Sequence, residues 1–103
     1  MTTEAKNYHV AKEILNQLGG NRFAMMTGSK NFGASENKLS MQLTRNASGA
    51  NYLTITLTPM DVYTMEFISV RAGKRTVKKV VENVYNDMLQ RMFTDATGLY
   101  TRL

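Results

Sequence analysis

Three times between residues 38 and 70 the apolar side chains fall on every second position: Leu39, Met41 and Leu43, then Leu53, Ile55 and Leu57, then Tyr63, Met65 and Phe67. A period of two lines up one side of an extended chain, so residues 38–44, 52–58 and 62–70 each read as a half-buried antiparallel strand with one face toward a core. Arg45-Asn46-Ala47-Ser48-Gly49-Ala50-Asn51 supplies turn chemistry between the first two, and Pro59 with Asp61 marks a tight turn before the third. The short apolar run 22–27, bounded by glycines, is expected to add a strand ahead of them. The polar stretch 28–37, with Gly28, Ser29, Asn31, Gly33, Ser35 and Asn37, is expected to be a loop carrying Lys30 and Phe32.

Helical periods flank this region. In residues 3–18, Ala5, Tyr8, Val10, Ala11, Ile14, Leu15 and Leu18 recur at spacings of three and four, and Gly19-Gly20 stops the stripe. From Thr76 the pattern becomes Val77, Val80, Val81, Val84, Tyr85, Met88, Leu89 and Met92, which fall within an arc of about 180° on a helical wheel. This predicts a second helix that ends near Gly98. The expected fold is one α+β domain over residues 1–103. It has an antiparallel sheet of three to four strands with an N-terminal and a C-terminal helix on one face, in the order α-β-β-β-β-α.

Composition narrows the chemistry. A chain of 103 residues has room for one core. The absence of cysteine removes disulfides, thiol nucleophiles and thiolate metal sites, and a single histidine removes a histidine-rich metal centre. No cofactor and no metal are therefore expected. No apolar run approaches the length of a membrane span and no signal-peptide layout is present, so a cytoplasmic location is expected and no membrane partner. His9 with Glu13 reads as a surface pair on the first helix. Asp61 and Glu66 stand apart from each other, and no Gly-x-x-x-x-Gly-Lys-Ser/Thr loop occurs, so the chain is not expected to be an enzyme.

Charge is the most informative feature. Arg71, Lys74, Arg75, Lys78 and Lys79 occupy residues 71–79 with no acid among them, while basic and acidic side chains elsewhere cancel, so the formal net charge of +5 is that segment. If Thr76 opens the last helix, these cations sit where the helix dipole disfavours them by about a few tenths of a kcal/mol each. An anionic partner would offset that cost, and free backbone N–H groups beside Lys and Arg make a phosphate site. Lys30 and Arg45 are expected as secondary contacts, with Arg22 in the same set. Two partners meet this demand: nucleic acid, DNA or RNA, and an acidic surface of a protein. On the polar outer sheet face Tyr52 is the residue suited to stacking on a base or anchoring a protein partner. A homodimer is conceivable if the open strand face or the Tyr100 tail is covered.

Two resemblances accompany this reading. Leu18-Gly19-Gly20-Asn21-Arg22-Phe23, Met26-Thr27-Gly28-Ser29-Lys30-Asn31-Phe32, Asn51-Tyr52-Leu53-Thr54-Ile55-Thr56-Leu57, Tyr85-Asn86-Asp87-Met88-Leu89 and Thr97-Gly98-Leu99-Tyr100 resemble segments of small proteins carried by phages and prophages. That likeness implies a mobile-element origin and a host-cell cytoplasmic setting, and it implies no activity. The order helix, antiparallel strands, helix with Lys74-Arg75-x-x-Lys78-Lys79 at the start of the last helix is similar to the double-stranded-RNA-binding domain. This second likeness implies that Lys74, Lys78 and Lys79 grip phosphates. The resulting expectation is a small phage-type nucleic-acid-binding protein that contacts phosphates through Arg71, Lys74, Arg75, Lys78, Lys79, Arg45 and Lys30. The alternative is a phage-encoded inhibitor or adaptor that docks the same patch on an acidic or nucleic-acid-binding host surface.

Overall fold

The computed structural model describes residues 2–99, with side chains from His9 to Leu99; the Tyr100 tail lies outside the described residues. Helix α1 (Thr2–Leu18) is followed by α2 (Gly20–Thr27), then five strands, β1 (Lys30–Ser35), β2 (Lys38–Gln42), β3 (Tyr52–Leu57), β4 (Tyr63–Arg71) and β5 (Lys74–Val84). A 3-10 turn at Asn86–Met88 leads into α3 (Leu89–Thr97). The strands form one antiparallel meander in the order β1-β2-β3-β4-β5. The fold is α+β with a helix toward each end, and its sheet has five strands where three to four were expected.

The period-two residues do what their spacing requires. Leu39, Met41, Leu53, Ile55, Tyr63, Met65 and Phe67 are buried on one sheet face, in a single core with Ile14 and Leu18 of α1, Phe23 of α2 and Leu89 and Phe93 of α3. Phe23 and Phe93 meet edge to face with ring centroids 5.0 Å apart, an arrangement that adds about 0.5–1.5 kcal/mol beyond the area buried. Gln90 Nε2 donates to the Leu18 carbonyl at 2.9 Å, so α3 satisfies the end of α1 as well as packing on the same core.

Three local expectations are corrected. Residues 22–27 form helix, not strand: the run is too short for its apolar residues to fix a period, and the helical turn buries Phe23 and Thr27 together while Met25 stays 83% exposed. Thr27 Oγ1 donates back to the Phe23 carbonyl at 2.7 Å, and Gly28 closes the helix in the left-handed conformation. The expected loop at 28–37 contains β1, a polar edge strand with an irregularity between Lys30 and Gly33 where Asn31 takes a φ of 54°.

The third correction is the largest. Residues 76–84 are not a helix but most of β5. Two register shifts in the β4–β5 pairing explain the misleading pattern: Val84 and Val81 pair with Tyr63 and Met65 on the core side, and Val80 and Val77 pair with Glu66 and Ile68 on the other. Each bulge inserts an extra residue, one of them at Asn83 with a φ of 58°, so same-face valines stand three apart and imitate a helical stripe. The valines themselves, β-branched, favour the strand.

Tyr63 is buried at the far end of β4, and its phenol is shifted above the ordinary tyrosine range, first by burial and then by the nearby Glu13 carboxylate, while contact with the Gln17 side chain pulls the other way. The neutral phenol is favoured in the folded state. Its contribution to stability is complete below the unfolded tyrosine value and is lost as pH rises through the folded one. Unfolding by denaturant across that alkaline window should show a shallower fall of stability in Tyr63→Phe than in the wild type; equal slopes contradict the assignment.

Candidate nucleic-acid interface

The basic segment lies on the β4–β5 hairpin. Its turn has two central residues, Ala72 and Gly73, with φ of 51° and 77°, and Arg71 pairs directly with Lys74 across it. Positive φ at both positions is the mark of a type I′ turn, whose twist suits a two-residue hairpin. The helix N-terminus expected to present Lys78 and Lys79 therefore does not exist, because residues 74–84 are strand and the last helix begins at Leu89. Lys74, Lys78 and Lys79, which the double-stranded-RNA-binding likeness put at a helix start, are strand residues too.

The hairpin is tied to the rest of the sheet by Asn51, the residue just before β3. Its side chain imitates a strand: Nδ2 donates to the Val70 carbonyl and Oδ1 accepts from the Val70 N–H, both at 2.9 Å, while its own N–H reaches the Ile68 carbonyl at 3.0 Å. Asn46 organises the β2–β3 loop beside it, with Nδ2 donating to the Thr44 and Ala50 carbonyls and Oδ1 accepting from Ser48. The Ala47 N–H donates to the Thr97 carbonyl at the end of α3, so this loop is pinned from two sides.

These ties bring cations from separate elements to one end of the sheet. A cleft of about 670 Å³ is bounded by Lys30 of β1, Gln42, Leu43, Asn51, Tyr52 of β3, Val70, Gly73 and Arg75 of β5. A second, of about 230 Å³, shares Leu43 and Asn51 with it and adds Arg45 from the loop and Arg71 from β4. Lys78 approaches the same loop, with its Cε 4.0 Å from where a Cβ on Gly49 would stand. Lys74 and Lys79 are exposed on the hairpin but border neither cleft; Lys79 pairs with Phe67 and so lies on the helix side. Arg22 is exposed on α2 and borders neither cleft.

Four carboxylates lie toward the opposite end, while Glu66 is mid-strand on the open face opposite Thr54 and Asp95 is in the last turns of α3. Glu36 is in the β1–β2 turn, Asp61 in the β3–β4 turn and Asp87 just past β5, and Glu13 shares a cleft with Asp61 and Tyr63. The molecule is thus polar along its strands, basic at the hairpin end. Among the described residues no group of three metal-ligating side chains occurs, and no helix is long and apolar enough to cross a membrane.

Sequence reading named all seven cations and Tyr52 but missed Asn51, Gln42, Leu43 and Val70, which line the clefts together with Lys30, Arg45, Arg71, Arg75 and Tyr52. Asn51 carried a faint signal as the residue just before the second alternating strand, and Gln42 as an outward position within the first. No protein-family model, curated protein or solved structure matches this chain.

Ala72 occupies a left-handed position that costs a non-glycine L-residue roughly 1–2 kcal/mol and that asparagine tolerates best. Ala72→Asn should stabilise the protein by about 1 kcal/mol in urea unfolding, whereas Ala72→Val should destabilise it by at least as much. A stability indifferent to both would contradict the type I′ hairpin.

Proposed function

We propose that this chain is a small phage-type protein that binds nucleic acid through phosphate contacts at the hairpin end of its sheet, without catalysis. The observation that carries the reading is the meeting of Lys30, Arg45, Arg71 and Arg75, from four separate segments, around Leu43 and Asn51. Protection of an edge strand accounts for some of the lysines, since β5 has a free edge and charged residues there discourage pairing with other chains. It does not account for Arg71, which lies on the inner strand β4 and faces Lys74 at a like-charge cost of about a few tenths of a kcal/mol. Nor does it account for Arg45 and Lys30, which are distant in sequence.

Several cations on one surface give sequence-tolerant, salt-sensitive binding, and the carboxylates toward the far end orient the molecule as it approaches a polyanion. A second reading, docking on an acidic host protein as an inhibitor or adaptor, is favoured by the free edge of β5, which can accept an extended chain. The two differ in one assay. With the phosphate role, the protein alone binds oligonucleotides at low salt, and the logarithm of affinity falls linearly with that of salt concentration. Arg71→Gln with Arg75→Gln should then make that slope shallower by about 1 for each cation removed. Binding that is absent at low salt rejects the phosphate role and leaves the protein partner; a slope unchanged in the double variant rejects these two residues as contacts.

A further inference from the structure

The larger cleft has more than charge. One register row crosses the whole sheet, Lys30, Gln42, Tyr52, Ile68 and Val77, each paired with the next and all on the face away from the helices. At its centre Tyr52 is half-buried on the open face, beside the exposed Val70 that borders the same cleft, while Leu43 at the cleft's margin is buried with the core. The amide of Gln42 is oriented by Asn31, whose Nδ2 donates to Gln42 Oε1; this leaves the Gln42 NH₂ to donate outward. Lys30 and Arg75 border the cleft from opposite sides of the sheet, one on each edge strand. An aromatic side chain, an apolar wall, an amide donor and two flanking cations form the set that recognises a planar heteroaromatic group between two phosphates.

We propose that this cleft takes an unpaired base of a single-stranded nucleic acid, stacked on Tyr52, with the phosphates on either side of that base held by Lys30 and Arg75. The proposal rests on the phosphate-binding reading and narrows it. In a duplex each base is covered on both faces and its flat sides cannot enter a recess, whereas a flexible strand can turn one base inward while its backbone runs from one edge strand to the other. Inorganic anions or an acidic peptide would use the cations and leave Tyr52 idle. Gln42 contributes a donor to a base acceptor, and the sequence tolerance of stacking means that no particular base is required.

The test uses the full chain and four probes at one low salt concentration: a homothymidine strand, an abasic strand of the same length, the matching duplex, and a polyglutamate peptide. The chain contains five tyrosines and no tryptophan, so intrinsic emission reports tyrosine directly. The homothymidine strand should quench it and bind about five- to a hundredfold more tightly than the abasic strand, the range expected for loss of one stacked base. Tyr52→Phe should keep that advantage and Tyr52→Leu, which retains apolar cover beside the buried Ile68, should abolish it without changing abasic-strand affinity. Equal affinity for thymidine, abasic and duplex probes overturns the stacking proposal while keeping the phosphate role. Binding of polyglutamate alone, or of no probe, overturns both. Should Tyr52→Leu fail to fold, the comparison of thymidine and abasic strands on the wild-type protein decides the proposal unaided.

Discussion

The pairing of β4 with β5 governs both the shape of this protein and the placement of its charge. Two backbone devices fix it. The left-handed pair Ala72-Gly73 reverses the chain in two residues and sets Arg71 against Lys74. Asn51 then supplies, from a side chain, the two hydrogen bonds that a neighbouring strand would have given Val70. Without that substitute the outer part of the hairpin would have no partner on its β3 side, and an isolated two-stranded ribbon is marginal in water. The core determines that a sheet forms; the turn and the asparagine determine where its basic end points.

Placement of the cations on a strand rather than a helix start changes the physics of the site. A helix terminus would have supplied a local dipole and free N–H groups for one phosphate. A hairpin supplies a wider surface, because neighbouring strands lie about 4.8 Å apart and five of them bring side chains from Lys30 to Arg75 onto one end. The interaction is distributed, and it brings the cations to the same cleft as the half-buried Tyr52. The acidic far end, with Asp61 and Glu36 in its turns, keeps the opposite pole from competing for the same ligand.

The legible parts of the sequence were those where one face of an element is buried and the other is not. Leu39-x-Met41 and Leu53-x-Ile55 announced their strands, and Ile14 and Leu18 their helix, because burial on one side imposes its own period. Residues 22–27 were ambiguous since the run is too short to separate the two periods. Residues 77–84 were misleading: two bulges moved Val77, Val80, Val81 and Val84 to helical spacing, and bulges leave no mark that a periodicity can read. The composition of that stretch, four valines in eight residues, was the better guide. The cations of the site were visible as charge, but their union was not, because it depends on Asn51 and on a register that links residues 30, 42, 52 and 68.

The most direct examination of the central claim is a map of amide chemical shifts in the ¹H–¹⁵N spectrum as a short homothymidine strand is added at low salt. The account predicts perturbations confined to the hairpin end, at Lys30, residues 42–52 and residues 70–79, that reverse when salt is raised. Perturbations centred instead on the Glu13 and Asp61 end, or around Leu15 and Phe32, which line a groove between α1 and β1, or spread evenly over the surface, would contradict it.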